Sequence, residues 1–64
     1  MRLLMPAKIL LIEDDLHLAA ILQKLLQREG YQVDAATRGD DGLARSRAQP
    51  YDLVLTDLKL PGID

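Results

Sequence analysis

Lys8-Ile9-Leu10-Leu11-Ile12-Glu13-Asp14-Asp15 is the stretch whose reading decides the fold. From Ala7 the chain is almost unbroken aliphatic, and at Glu13 it turns abruptly acidic. A strand with one wet face alternates apolar and polar residues. A continuous aliphatic run is instead expected of a strand covered on both faces, as in the parallel sheet of an α/β domain. The run therefore predicts a buried strand over residues 7–12 that delivers three carboxylates to its carboxyl end.

Working outward, the period changes after the acids. Leu18, Ile21, Leu22, Leu25 and Leu26 fall on one helical stripe between Leu16 and Glu29, and Gln23, Lys24, Gln27 and Arg28 lie mostly off it. Asp14 or Asp15 is placed to cap this helix, and Gly30 sits where a left-handed C-terminal cap belongs. Residues 31–36 read as a second strand with Tyr31, Val33 and Ala35 on one face. Thr37 with Asp40 resembles a capping box for a second helix from about Asp40 to Ala48, whose thin apolar side is Leu43, Ala44 and Ala48. Gly42 weakens that helix by about 1 kcal/mol relative to alanine. Pro50 ends the segment, Asp52-Leu53-Val54-Leu55-Thr56 is a third strand, and Leu58 to Gly62 is a loop with a Pro-Gly turn signal.

The order is βαβαβ, and strands joined by helical crossovers imply a parallel sheet with right-handed connections. Ligands in such sheets bind beyond the carboxyl ends of the strands. Both acidic features of the chain, Glu13-Asp14-Asp15 and Asp57, fall at such ends.

The bulk numbers exclude several classes. At 64 residues this is at most one small domain, and a chain this size buries only about 60% of its unfolded surface, so stability is marginal. There is no cysteine, which removes disulfides and thiolate zinc sites and fits a reducing cytoplasm. With 48% hydrophobic residues and 28% charged, the composition is globular rather than disordered. A net charge of −2 without a basic run argues against nucleic-acid or membrane-surface contact by this segment. The opening Met1–Ile12 carries Arg2, Pro6 and Lys8, which makes it too short and too interrupted for a membrane span or a signal peptide.

If the first and third strands are neighbours, their ends lie about 5 Å apart, and carboxylates from Glu13, Asp14 and Asp57 converge. Converging carboxylates repel unless a cation joins them. Mg²⁺ suits one or two carboxylates, retained waters and phosphate oxygens. A carboxylate is also a competent nucleophile toward phosphorus, giving an aspartyl-phosphate, with the cation neutralising charge during transfer.

The stretches Lys8–Asp15 and Tyr51–Asp64 resemble the opening and the phosphoacceptor strand of a response-regulator receiver domain, and the spacing between them fits as well. The resemblance covers the chain from about Ala7 onward. It implies the N-terminal half of a flavodoxin-like doubly wound parallel sheet, with local strand order 2-1-3. It assigns Asp57 as phosphoacceptor, Asp14 as a direct Mg²⁺ ligand, Glu13 as a ligand mostly through water, and Lys59 as a main-chain carbonyl ligand. It further implies a cytoplasmic two-component module that is not an enzyme. The donor would be a sensor histidine kinase or a phosphotransfer protein, and the parent a DNA-binding transcriptional regulator whose DNA contacts lie outside this segment.

A receiver of this kind normally continues for about as many residues again, with two strands, three helices, a Ser or Thr hydroxyl and a Lys that contact the phosphoryl group. Residues 1–64 thus read as a truncated receiver lacking those positions. Thr56 does not replace the hydroxyl, because strand alternation points it away from the Asp57 pocket. Truncation leaves the third strand as an aliphatic edge, so a folded chain is expected to form homo-oligomers. The alternative to signalling is a structural half-domain that self-associates. A haloacid-dehalogenase-type phosphatase typically has a second Asp two residues after its nucleophile, where this chain has Lys59. His17 reads as a surface residue, and Arg38, Arg45 and Arg47 as solvated surface. Tyr31 and Tyr51 read as strand-flanking, and Gly30, Gly39 and Gly42 form no dinucleotide fingerprint.

Overall fold

The computed structural model describes residues 7–56. Three strands, β1 (Lys8–Ile12), β2 (Gln32–Ala36) and β3 (Leu53–Thr56), alternate with helices α1 (Leu16–Arg28) and α2 (Gly39–Ala48). All pairings are parallel and the order is β2-β1-β3, as the α/β reading expects. β1 is central. Ile9 pairs with Val33 and Leu53, and Ile12 pairs with Ala36 and Thr56.

The unbroken aliphatic run of β1 has the predicted cause. Ile9 and Leu11 join Val33 and Ala19 on the α1 face, with Leu22, Leu26 and Leu55 packed against them. Leu10 and Ile12 join Ala36 on the other face, with Tyr51 against them. Leu10 is completely buried, and burying such a side chain contributes roughly 1.5–3 kcal/mol.

α1 begins at Asp15, whose carboxylate accepts the Leu18 N–H at 3.1 Å. This settles the cap between the two aspartates. The helix ends at Gly30, where φ is +98°, and the Gly30 and Tyr31 N–H groups donate to Gln27 and Leu26 carbonyls at 3.0 and 3.2 Å. That pair of bonds is a Schellman motif, and it needs a residue that tolerates positive φ. Of the expected stripe, only Leu22 and Leu26 reach the sheet, beside Ala19. Leu18, Ile21 and Leu25 remain 41–56% exposed, because a two-helix, three-strand layer covers only part of a helix whose stripe is wider than the sheet beneath it.

α2 departs furthest from the sequence reading. Its N-cap is Arg38, without a side-chain capping bond, so the expected Thr37–Asp40 capping box does not form. Asp40 instead takes a two-pronged contact from Arg38, at 3.0 and 3.2 Å, and accepts the Asp41 N–H at 2.9 Å. Leu43, read as the apolar side, is 51% exposed, whereas Gly39 and Gly42 are buried. The reason is steric. A Cβ placed on Gly42 would lie 2.2 Å from Ile12 Cδ1 and 2.7 Å from its Cγ1, so the helix backbone itself rests on β1. The residue that looks like a flaw in the helix is what lets it approach.

Candidate functional site

The carboxyl end of β1 assigns three consecutive acids three different jobs. The Glu13 N–H donates to the Ala36 carbonyl at 2.9 Å, which extends the β1–β2 ladder one residue past the strand and fixes the backbone there. Glu13 as a residue is only 8% exposed, unusual for a glutamate. One of its oxygens accepts the Asp15 N–H at 3.1 Å, which keeps the buried group hydrogen-bonded. A carboxylate has about four acceptor directions, so one such bond leaves capacity for further donors or a cation. Asp14 is exposed. Because Asp15 is committed to the helix cap, Asp14 is not needed there.

Thr56, the last described residue of β3, is the register partner of Ile12. β1 and β3 therefore end level with one another, and the acids after β1 stand beside the end of the strand that precedes Asp57. Asp57 and Lys59, assigned as acceptor and carbonyl ligand by sequence, lie outside the described residues. Among the described residues no group of three or more His, Cys, Asp or Glu is gathered closely enough to hold a metal. The donors present, Glu13 and Asp14, are hard carboxylate oxygens at a strand end, the chemistry a magnesium ion takes.

Sequence reasoning missed a second polar cluster, at the opposite end of the sheet. Tyr51 donates its hydroxyl to Asp34 Oδ2 at 2.6 Å. Gln49 Nε2 donates to the same hydroxyl at 2.9 Å, and Lys8 Nζ donates to Gln49 Oε1 while standing 5.4 Å from the centre of the Tyr51 ring. Burial, then the hydrogen bond to Asp34, pushes the Tyr51 phenol above its ordinary value. The available signal was Lys8 and Asp34, two charged residues at alternation positions that otherwise point Leu10, Ile12 and Ala36 into the α2 face. At the surface, the hydrogen bond from Arg38 holds the Asp40 carboxyl below the usual range. His17 is exposed on α1. No helix among the described residues is long and apolar enough to cross a membrane.

Comparison with known proteins places this arrangement. The family model for the response regulator receiver domain matches residues 9–64. The transcriptional regulatory protein ResD of Bacillus subtilis is 40% identical over 57 residues, which are 89% of this chain and 24% of that protein. AfsQ1, a transcriptional regulatory protein of Streptomyces coelicolor, is 47% identical over 60 residues, covering 94% of this chain and 26% of that protein. The chain thus spans about a quarter of the length of these relatives. The chemotaxis response regulator CheY4 of Vibrio cholerae superposes with a TM-score of 0.88 at 28% identity, over 91% of this chain and 48% of that one.

Proposed function

The chain belongs to the response regulator receiver domain family, and from that premise we propose that it is a phosphoacceptor segment whose acceptor is Asp57. The observation that carries this reading is the level ending of β1 and β3: Ile12 lies opposite Thr56, so Glu13 and Asp14 stand next to the strand that Asp57 follows. The Asp57 carboxylate attacks phosphorus, a P–O bond forms, and the P–N bond to a phosphohistidine donor breaks. The imidazole nitrogen leaves with the bonding pair and takes up a proton. Glu13, held by the Asp15 N–H, and Asp14, left out of the helix cap, supply hard oxygens for Mg²⁺, together with Asp57 and the Lys59 carbonyl. When bound, Mg²⁺ neutralises charge on the acceptor and the transferring group.

In this reading the chain receives a phosphoryl group from a sensor histidine kinase or a phosphotransfer protein and does not turn over as an enzyme. The relatives named as transcriptional regulatory proteins support a parent that regulates transcription; that it binds DNA outside this segment and acts in the cytoplasm is part of the same proposal.

The experiment is intact mass after incubation with Mg²⁺ and phosphoramidate, with Asp57→Ala alongside. A single phosphoryl adduct, absent in the variant and absent when Mg²⁺ is chelated, is expected. No adduct from a chain shown to be folded would overturn the reading.

The second reading, a half-domain that self-associates, draws on one observation: Leu53 and Val54 on the β3 edge are 49% and 42% exposed. Unpaired aliphatic edges recruit further strands. Sedimentation of a well-folded monomer at high concentration would dispose of it.

A further inference from the structure

β3 has an unusual weakness. Its register against β1 places the end of the strand, and hence the start of the segment bearing Asp57, yet its three aliphatic residues, Leu53 to Leu55, specify that register only weakly. Leu53, Val54 and Leu55 are all aliphatic, so across the centre of the strand a slip by one residue only exchanges leucine for valine, and a polar side chain, Asp52 or Thr56, is displaced only at one end. The strand is four residues long and half exposed, with Leu53 and Val54 both above 40% exposure. Register is weakly specified wherever both faces carry similar residues.

Bonds that exist only in the observed register lie just before the strand. Lys8 and Asp52 bond reciprocally: the Lys8 N–H donates to Asp52 Oδ2 and the Asp52 N–H donates to the Lys8 carbonyl, both at 2.7 Å. One residue earlier, Tyr51 reaches across the sheet to Asp34, the register partner of Leu10 on β2. Gln49, the C-cap of α2, bonds the Tyr51 hydroxyl and takes the Lys8 ammonium. Its extended backbone is the conformation favoured before Pro50. These bonds have discrete partners. A slip of β3 by one residue in either direction separates the exposed Asp52 from Lys8 and draws Tyr51 off Asp34, leaving the part-buried Tyr51, Gln49 and Asp34 groups without these partners.

We propose that Tyr51 and Asp52, acting on Asp34, Gln49 and Lys8, are a register lock that sets where β3 ends against β1. They are positioning residues at the end of the sheet remote from the acids. The consequence for phosphoryl acceptance rests on the reading of Asp57 given above; the lock itself does not. A one-residue slip moves the end of β3 by roughly 3.3 Å and a two-residue slip by about 6.6 Å. If Glu13, Asp14 and Asp57 are to hold one Mg²⁺ together, a shift of that size in the strand before Asp57 would work against it.

The test is nuclear magnetic resonance of the full 64-residue chain. Cross-strand contacts that pair Leu10 with Val54 and Ile12 with Thr56 report register directly. In Asp52→Ala and in Tyr51→Phe, which keeps the ring but removes the hydroxyl, the β3 amides are expected to exchange at least tenfold faster. A second set of β3 resonances with displaced pairing should accompany this, while β1–β2 contacts stay as they were. Asp52→Asn retains a side-chain acceptor for the Lys8 N–H and should hold the original register. Unchanged β3 pairing and protection in Tyr51→Phe overturns the lock, and this variant decides alone if Asp52→Ala yields no dispersed spectrum. Equal acceleration across all three strands also overturns it, because that is loss of global stability. Phosphoramidate labelling then separates the two ideas. An unlabelled parent chain with intact register refutes phosphoryl acceptance by this segment alone and leaves the lock standing. A labelled parent whose Tyr51→Phe variant loses register and labels several-fold more slowly supports both.

Discussion

α1 and α2 lie on opposite faces of the same three strands, and they are held there by different means. α1 rests Ala19, Leu22 and Leu26 on Ile9, Leu11 and Val33, an aliphatic layer, and adds a hydrogen bond from Gln23 Nε2 to the Val33 carbonyl at 2.9 Å. α2 brings no large apolar side chain to the sheet; its buried residues are Gly39 and Gly42, the latter set against Ile12. The rest of that face is closed by Tyr51 and the polar bonds around it. One helix is therefore attached by apolar area, which tolerates exchange of one aliphatic residue for another. The other is attached by close approach and specific hydrogen bonds, which tolerate little. Area is non-directional, whereas a backbone approach with no room for a Cβ and a 2.6 Å hydrogen bond are not.

The contrast breaks most visibly at Gly42. Alanine there gains about 1 kcal/mol of helix propensity but must displace the Ile12 side chain, and overpacking typically costs 1–3 kcal/mol. Gly42→Ala should therefore be neutral to destabilising by up to about 2 kcal/mol, and Gly42→Val more so. Adding Ile12→Val, which removes the atom nearest the new methyl, should recover part of the loss. Urea unfolding of the single and double variants checks this. Additive losses would mean that the close approach is not what seats α2.

A smaller effect sharpens the polar half of the contrast. The Tyr51 phenol is raised above its ordinary value by burial and by Asp34, with Lys8 and Arg45 the cations near it. A raised value means that the folded state binds the proton more tightly than the unfolded chain does. Its contribution is therefore complete below the unfolded tyrosine value near pH 10 and disappears as pH rises through the folded one. Unfolding midpoints of the parent and of Tyr51→Phe should differ by a constant amount up to about pH 9 and converge above it. A gap that stays constant through pH 11 would mean that folding does not raise the Tyr51 phenol. The acid side has an exposed counterpart in Asp40, lowered by Arg38, whose small contribution is present above the ordinary aspartate value and fades as pH falls below it.

Smallest of all should be changes on the outer ridge of α1. Ile21 is 56% exposed, so Ile21→Gln should alter stability by no more than about 0.5 kcal/mol. A loss several times larger in thermal or urea unfolding would mean that this ridge is covered in solution, and a concentration-dependent midpoint would identify a second copy of the chain as the cover.

Legibility from sequence divided along similar lines. Each strand and helix was visible, because the period of apolar residues is a local property. α1 was placed to within a residue or two by its leucines, by the acids before it and by Gly30 after it. The start of α2, its buried side and the role of Gly42 were not. Nothing in residues 39–48 records that Ile12 stands opposite, and a small residue looks the same whether it weakens a helix or admits a neighbour. Asp14 and Asp15 were equally good caps on paper, and only the geometry of the first turn chose Asp15. The lock around Tyr51 was missed because its bonds join residues 17, 41 and 44 positions apart.

What the sequence determined by itself was the α/β class, the parallel sheet and the delivery of carboxylates to strand ends. Hydrophobic periodicity and chain direction leave few other ways to bury these residues. What only the tertiary structure decided was which acid faces inward, which helix is seated by its backbone, and how β3 is held level with β1. These depend on pairwise distances between segments, and the chain fixes such distances only once it has folded.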